Sequence, residues 1–449
     1  KPRYSEFNIM NSADQMSVYA EMERKGLLTS DIVNNQSSGI YGIMYNRINT
    51  WDESKQQYLL ENTYAARHNF LMEHAAANTD WFDLLFTNSI MNEHTLSVSS
   101  GSQKSKSYIS LGFLNDPGWT VADKVNRITM NFRNDYQLND KIGFSFQTVG
   151  SVRMQNAPGS LSRSSDVVSG ISSRNFDINP FNYALNTSRA LRAYDSNGER
   201  EYYTLNFAPF NILEELDNNY IKLNVIDLKA QAEFNWQIIK GLTFKTAGTY
   251  NTTDSRTDIF YKTGSKEAYR NGEKPYGRTQ MGRDVRWTNY NNLTWKQKIK
   301  KHTYDVMLGH EVSFKSSEYL LGEAMDFPFD NLGNDNLGIG ATPSKVSSSY
   351  SDKMLLSFFA RGNYNYDNRY LLTATIRADG STVFSQKNKW GYFPSFSAAW
   401  RVSEEAFMKK QKVVDYLKLR ASIGLVGQTL KFASVGVLSV MTVFQTIYH

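Results

Sequence analysis

From Arg127 to Gln137 the chain reads Arg-Ile-Thr-Met-Asn-Phe-Arg-Asn-Asp-Tyr-Gln, so Ile128, Met130, Phe132 and Tyr136 share one parity. Mainly polar or charged residues occupy the other. The same alternation returns further on, where Ile226, Leu228, Ala230, Ala232, Phe234 and Trp236 interleave with Asp227, Lys229, Gln231, Glu233 and Asn235. Successive strand side chains point to opposite faces, which gives each segment one greasy side and one wet side. The runs last roughly nine to twelve residues, enough for a tilted strand to cross a bilayer. A succession of such strands predicts an antiparallel transmembrane β-barrel.

Hairpins are expected at 93–113, 127–149, 225–250, 286–314, 354–378 and 395–424, about a dozen strands in all. Their inner turns are short and polar, at Ser100–Lys104, Asn139-Asp140, Lys240-Gly241, Lys300-Lys301 and Asp367-Asn368. Such residues favour tight reversals. The connections between hairpins are long instead: roughly 75 residues after Val149, about 35 after Tyr250 and about 40 after Phe314. Short turns at one end and long loops at the other are the outer-membrane pattern, with turns periplasmic and loops extracellular.

The first 92 residues read differently. Ser12 to Lys25 carries a capping residue, helix formers and a Gly26 stop, and Thr63 to Ala77 gives a second helix. Three regions follow: 1–92, a helical stretch with loops leading into the barrel; 93–427, antiparallel strands; and 428–449, where strict alternation is lost.

Charged residues make up 21% of the 449, and the mean hydropathy is −0.50. No stretch approaches the ~20 apolar residues of a membrane helix. A barrel escapes that criterion, because its apolar residues sit at every second position. Aromatic residues reach 14%, as girdles at the headgroups would require. Cysteine is absent, which removes disulfide staples, thiolate metal sites and thiol chemistry. The net charge of +6 is mild, and without a dense Lys/Arg tract there is no case for nucleic acid. The chain starts at Lys1-Pro2, without an initiator Met or a signal-type n-region, so its start is expected to be internal to a longer, processed precursor.

Several stretches resemble the SusC/RagA family of TonB-dependent outer-membrane transporters. They include Thr79-Asp-Trp-Phe82, Leu96-Ser-Val-Ser-Ser-Gly-Ser102 and Tyr108-Ile-Ser-Leu-Gly-Phe113 in the order that family uses. Further on come Phe327-Pro-Phe-Asp330, Arg377-Ala-Asp-Gly-Ser381, Trp390 to Trp400, Arg401-Val-Ser-Glu-Glu405 and Leu417 to Gly424. The resemblance spans about Met10 to Gly427 and implies a 22-stranded barrel with a plugged lumen, a size class in which plugging is usual. This chain is expected to carry the first half or so of that barrel, the plug, the Ton box and the later strands lying outside it. The partners implied are a SusD-like surface lipoprotein that lids the mouth, TonB acting through the plug, outer-membrane lipid, and a glycan or peptide substrate. No cofactor is implied. After Gly427 the sequence departs from the family's pattern, and His449 is not the aromatic terminus of a complete barrel.

Within that frame Arg133, Asp135, Lys229, Glu233 and Arg377 lie on the polar parity of their strands. They would line the lumen, either holding the plug or meeting solute; holding the plug is the plainer role. Trp119, Tyr202, Tyr203, Tyr261 and Tyr269 fall in long loops, where stacking on a sugar ring and ordinary loop packing both suit them. The histidines at 68, 74, 94, 302, 310 and 449 show no ligand spacing. Asp330 to Asp335 lacks the ligand period and closing Glu of a calcium loop and reads as a polar loop. Glu214, Glu215 and Asp217 could be a glycosidase pair, though adjacent acids in a loop are usually solvated. No nucleophile elbow is present.

The chain is thus read as part of an outer-membrane importer without catalysis. Two alternatives stay open: a secreted carbohydrate-binding β-protein, and a carbohydrate-active enzyme. The first would pack Ile128, Met130 and Phe132 into a water-excluded core and the second would set a carboxylate pair in a cleft; the barrel leaves those apolar side chains, and Phe234 with them, facing lipid.

Overall fold

The computed structural model describes residues 7–29, 39–158, 163–166, 171–174, 180–205, 208–266, 268, 272, 274–384, 389–408, 416–426 and 437–446. Thirteen strands form one antiparallel sheet: β1 (Asn92–Gly101), β2 (Ser105–Asp116), β3 (Lys124–Asn139), β4 (Ile142–Pro158), β5 (Asn219–Ile239), β6 (Leu242–Tyr261) and β7 (Tyr276–Ile299), then β8 (His302–Met325), β9 (Thr342–Tyr366), β10 (Tyr370–Ser381), β11 (Trp390–Arg401), β12 (Leu417–Val426) and β13 (Val437–Thr446). Every strand pairs with its chain neighbours, so the order is a plain up-and-down meander with β1 and β13 at its edges.

The six expected hairpins are all present. Their tight turns collect at one end, where Gly241 takes φ +86° and Asp367 and Asn368 take φ 50° and 57°. A Cβ on Gly241 would run into the Lys296 carbonyl oxygen, so the turn there needs glycine on both counts. The link from β11 to β12 is the exception at this end, leaving Arg401 through a 3₁₀ turn at Val402–Glu404.

The strands exceed the expected length. β5 to β9 run for 21, 20, 24, 24 and 25 residues, about twice the span a bilayer requires. The connections after β6 and β8 are correspondingly shorter than expected, from Tyr261 to Tyr276 and from Met325 to Thr342. The cause is visible in Thr252-Thr-Asp-Ser-Arg256 and Ser347–Ser351. Beyond the apolar belt the alternation vanishes, yet the backbone ladder continues.

Parity separates the two faces of the sheet. Ile109, Met130, Phe146, Leu308, Ile376 and Phe396, each from a different strand, share the outward face, and all are exposed. Met130 is 40% exposed and Phe234 is half-buried, and no second sheet or helical layer covers them among the described residues. An exposed, largely apolar belt of this extent is what hydrocarbon solvates.

The true core lies at the loop end. Helices α1 (Ser12–Arg24), α2 (Ile40–Asn49), α3 (Tyr64–Ala77) and α4 (Trp81–Leu85) pack with α5 (Pro180–Asn186) and α6 (Ile212–Asn218) around Ile40, Tyr41, Leu85, Leu191, Phe210 and Ile212. Asn11, Thr63, Asp80 and Asn211 each accept a backbone N–H at the start of α1, α3, α4 and α6, satisfying donors the helices leave open. Region 1–92 therefore shares its core with the connection between β4 and β5. Segment 187–191 stitches the two: Thr79 N donates to Arg189 O at 2.8 Å, Trp81 Nε1 to Ser188 O at 3.0 Å, and Ser188 Oγ to Gln15 Oε1 at 2.6 Å. Two backbone bonds, Thr87 N to Trp119 O and Val121 N to Leu85 O, fasten this module to the turn between β2 and β3.

A second loop-end device sits on the outward face. The connection after β8 folds back so that Phe327 and Leu337 cover Phe260, which is fully buried between them and Tyr220. Gly277 lies beneath, where a Cβ would come within 2.9 Å of Phe327 Cζ.

Candidate functional site

The inward face of the wall is a ladder of ion pairs. Arg133 Nε donates to Asp135 Oδ2 at 2.9 Å along β3. Lys245 Nζ lies 2.7 Å from Glu233 Oε2 across β5 and β6, and Asn235 Nδ2 steadies the same carboxylate at 2.8 Å. Lys229 is exposed and has no carboxylate partner among the described residues. Arg377 is the best anchored: its Nε donates to Asp379 Oδ1 at 2.7 Å, and its Nη2 donates to Ser357 Oγ at 2.9 Å and Glu311 Oε2 at 3.4 Å. The guanidinium also lies 5.7 Å from the centre of the Phe359 ring. Sequence parity thus identified five residues of one face but not the partners Glu311, Asp379 and Lys245. Those partners follow only once register is known. Such a surface presents fixed, alternating charge.

The loop aromatics divide. Trp119 is 62% exposed and stands in a groove of about 760 Å³ with Phe86, Met91, Asp116, Asp123 and Phe181. Burial, followed by the neighbouring Asp116 charge, raises the pKa of Asp123. Tyr202 is also exposed. Tyr203 is buried, with its hydroxyl 3.3 Å from that of Tyr183 and its ring edge-on to Phe210. Tyr261 is buried with Ile221 and Ile259. Neither Tyr203 nor Tyr261 presents a free ring face, and Tyr269 lies outside the described residues. The Trp119 groove went unrecognised because Phe181 and Phe86 meet only through the folded module.

At the centre of that module Glu201, 1% exposed, receives Arg192 at 2.9 and 3.0 Å and Arg47 at 3.1 Å. His74 is sealed beside it, with Nδ1 2.7 Å from Ala190 O, and burial lowers its pKa despite the opposing pull of Glu201. The acids read as a possible glycosidase pair are occupied otherwise. Glu215 is buried, accepting from Lys266 N at 2.6 Å and Asn219 Nδ2 at 2.7 Å. Asp217 holds Arg200 at 2.8 Å, and Glu214 accepts from Asn218 Nδ2. Asp330 accepts from Thr263 N and Oγ1, and among the described residues no three His, Asp or Glu side chains converge as metal ligands would.

The sequence pattern of the family described as "TonB dependent receptor-like, beta-barrel" matches residues 159–438. The chain is 29% identical to TonB-dependent receptor P26 of Formosa agariphila over 369 residues, covering 78% of this chain and 34% of that protein. It is 23% identical to TonB-dependent receptor SusC of Bacteroides thetaiotaomicron over 449 residues, covering 94% of this chain and 43% of SusC. The chain therefore spans well under half the length of these relatives. Among solved structures, the RagAB peptide importer in its "open-open" state superposes with a TM-score of 0.69 at 18% identity, over 97% of this chain and 47% of that one. The sheet, its outward apolar belt and the match across more than half the sequence agree: the chain belongs to the TonB-dependent receptor β-barrel family, among relatives of the SusC and RagA type.

Proposed function

We propose that this chain forms part of the barrel wall of an outer-membrane nutrient importer that takes up oligosaccharides, in concert with a SusD-like surface lipoprotein and TonB. The observation that carries the reading is the two-sided wall, apolar outward and charged inward, crowned by a large loop-end module. The inward ladder from Arg133 to Arg377 faces the plug, whose movement by TonB opens the lumen. Solute is captured at the extracellular end. Trp119 supplies a flat apolar face for a sugar ring, and Asp116 and Asp123 supply hydrogen-bond acceptors for its hydroxyls.

Peptides are the second substrate class: the RagAB neighbour is named for them, and the charged lumen wall suits their backbone and termini. The test is uptake by cells whose own gene is deleted and replaced by the full-length protein. Labelled oligosaccharides should enter with the wild type, and Trp119→Ala should cut uptake several-fold at subsaturating solute, because stacking on an aromatic ring contributes about 1 kcal/mol. Uptake of peptides alone would replace the glycan reading. Failure to restore uptake of either solute, in cells where the protein reaches the outer membrane, would end the transport reading.

A further inference from the structure

A groove of about 790 Å³ lies on the outward face of β5 to β9, between the apolar belt and the folded-back connection after β8. Its floor is built from two cross-strand rows. The first runs Ile226, Asp254, Arg283, Glu318, Tyr350, and the second Asn224, Arg256, Met281, Leu320, Ser348. Two features set it apart. Ile226, Met281, Leu320 and Tyr350 are exposed although they lie beyond the belt, where a wall meeting only water would be polar. Among them Arg283 Nε sits 3.3 Å from Asp254 Oδ1, and Arg256 Nε sits 2.8 Å from Asp258 Oδ2. Each guanidinium is oriented by one carboxylate and keeps its remaining donors for an outside acceptor.

The depth of the groove says what reaches it. Tyr250, Trp287, Phe314 and Met354 make one paired row across β6 to β9, with the Trp287 and Phe314 rings stacked at 6.0 Å. An aromatic row of this kind marks the edge of the hydrocarbon. On each strand the row with Asp254 and Arg283 lies four residues beyond it, about 13 Å along the strand and less in height once the tilt is counted. That is the headgroup layer of the outer leaflet. The next paired row toward the lipid-facing belt carries Leu228, Thr252 and Val285.

We infer that this groove binds a phosphorylated glycolipid of the outer leaflet. Arg283 and Arg256 hold a headgroup phosphate, Asn224 and Asp254 meet sugar hydroxyls, and an acyl chain runs down past Ile226 into the belt. The inference rests on the outer-membrane placement and is independent of which solute is imported.

The test uses the full-length protein purified from outer membranes in mild detergent, with native mass spectrometry as the readout. Lipid A and its dephosphorylated form serve as probes. Wild type should retain lipid A roughly tenfold better than the dephosphorylated form. Arg283→Glu should abolish that preference, Arg283→Gln should weaken it, and Lys298→Glu, a charge change on the same strand at the turn end, should leave it intact. Assembly of each variant is checked by heat-modifiable migration. If Arg283→Glu does not assemble, Arg283→Gln and the phosphate preference of the wild type decide the matter. Equal retention of both lipids by the wild type, an undiminished preference in Arg283→Gln, or equal loss in Lys298→Glu would overturn the assignment. So would a photo-crosslinker placed at Met281 in intact cells that captures a protein and no glycolipid.

Discussion

The imidazole Nε2 of His74 stands 3.8 Å from Oε2 of Glu201, both groups closed off from solvent inside the helical module. Glu201 is already engaged by Arg47 and Arg192, and those two cations oppose a further positive charge. Burial, the dominant influence, therefore keeps His74 neutral and its pKa below the ordinary histidine value.

The sign follows from linkage. With its folded pKa depressed, His74 contributes stability that is fully present above about pH 6.5, the ordinary value. That contribution is lost as pH falls toward the folded pKa, because the unfolded chain binds the proton first. The hydrogen-exchange protection factor of segment 187–201, with the intrinsic pH dependence of amide exchange divided out, should fall between pH 7 and pH 5. His74→Phe should flatten this dependence while costing on the order of 1 kcal/mol at pH 7.5 through the lost bond to Ala190 O. A pH-independent protection factor in the wild type would contradict the assignment.

The facing of the wall is open to a paired test. Phe132 belongs to the outward belt and Thr129 to the inward face. Phe132→Arg should cost about 2–4 kcal/mol near the bilayer midplane, whereas Thr129→Arg enters an aqueous lumen and should be tolerated far better. Assembly into vesicles, followed by urea titration, reads the difference. Equal behaviour of the two variants would mean that the facing assignment is wrong.

The roof over Phe260 depends on close approach to a glycine. Gly277→Val would place its side chain against Phe327, Leu337 and Phe260, and overpacking of this kind costs about 1–3 kcal/mol. Phe327→Ala acts by the opposite route, emptying the space over the buried Phe260 ring. Both should release the connection after β8 to protease, at roughly the same site, without altering heat-modifiable migration of the barrel. Protection equal to wild type in both would show that the connection is held by other contacts, such as Asn334 Nδ2 to Arg278 O.

How much of this was legible depended on the solvent at each face. Where one face meets hydrocarbon, as from Arg127 to Gln137 or from Ile226 to Trp236, period two fixes both strand and facing, and the structure follows it. Beyond the belt the same strands carry Thr252-Thr-Asp-Ser-Arg256, which is polar on both sides and reads as loop. The module was half legible. The helix formers from Ser12 and the Gly26 stop announced α1, though its cap is Asn11, one residue earlier than the stretch read as helix; Thr63 to Ala77 announced α3, and Asn211 with Glu214 in the first turn could have announced α6. What no periodicity reveals is that α3 closes on segment 187–201 over a hundred residues away, because His74, Glu201 and Arg192 carry no local signature of one another. The residues from Arg133 to Arg377 were legible as one face of the sheet but not as pairs, since pairing is a matter of register.

One interruption of the belt leads to a last expectation. Thr246, Asn291, His310 and Phe358 form a paired outward row, so three polar side chains face the zone between the two aromatic-rich borders at Trp287 and Trp295. Asn291 Nδ2 reaches Asn289 Oδ1 at 2.5 Å and approaches His310 Nε2 at 3.5 Å, and Asn289 in turn donates to Ala247 O at 3.3 Å. His310 Nδ1 is left without a partner among the described residues, but the remaining polar atoms named here are met within the cluster or by backbone where no water is at hand. Asn291→Leu alone should therefore be harmful, because stranding Asn289 and His310 costs about 1–3 kcal/mol. The double variant Asn289→Leu/Asn291→Leu removes both members of the closest bond and should recover a large part of that loss, since two apolar groups suit hydrocarbon better than one orphaned amide. A double-mutant cycle by urea titration in vesicles measures the coupling. Strictly additive losses would show that the three side chains act separately, each finding its own partner in lipid or water.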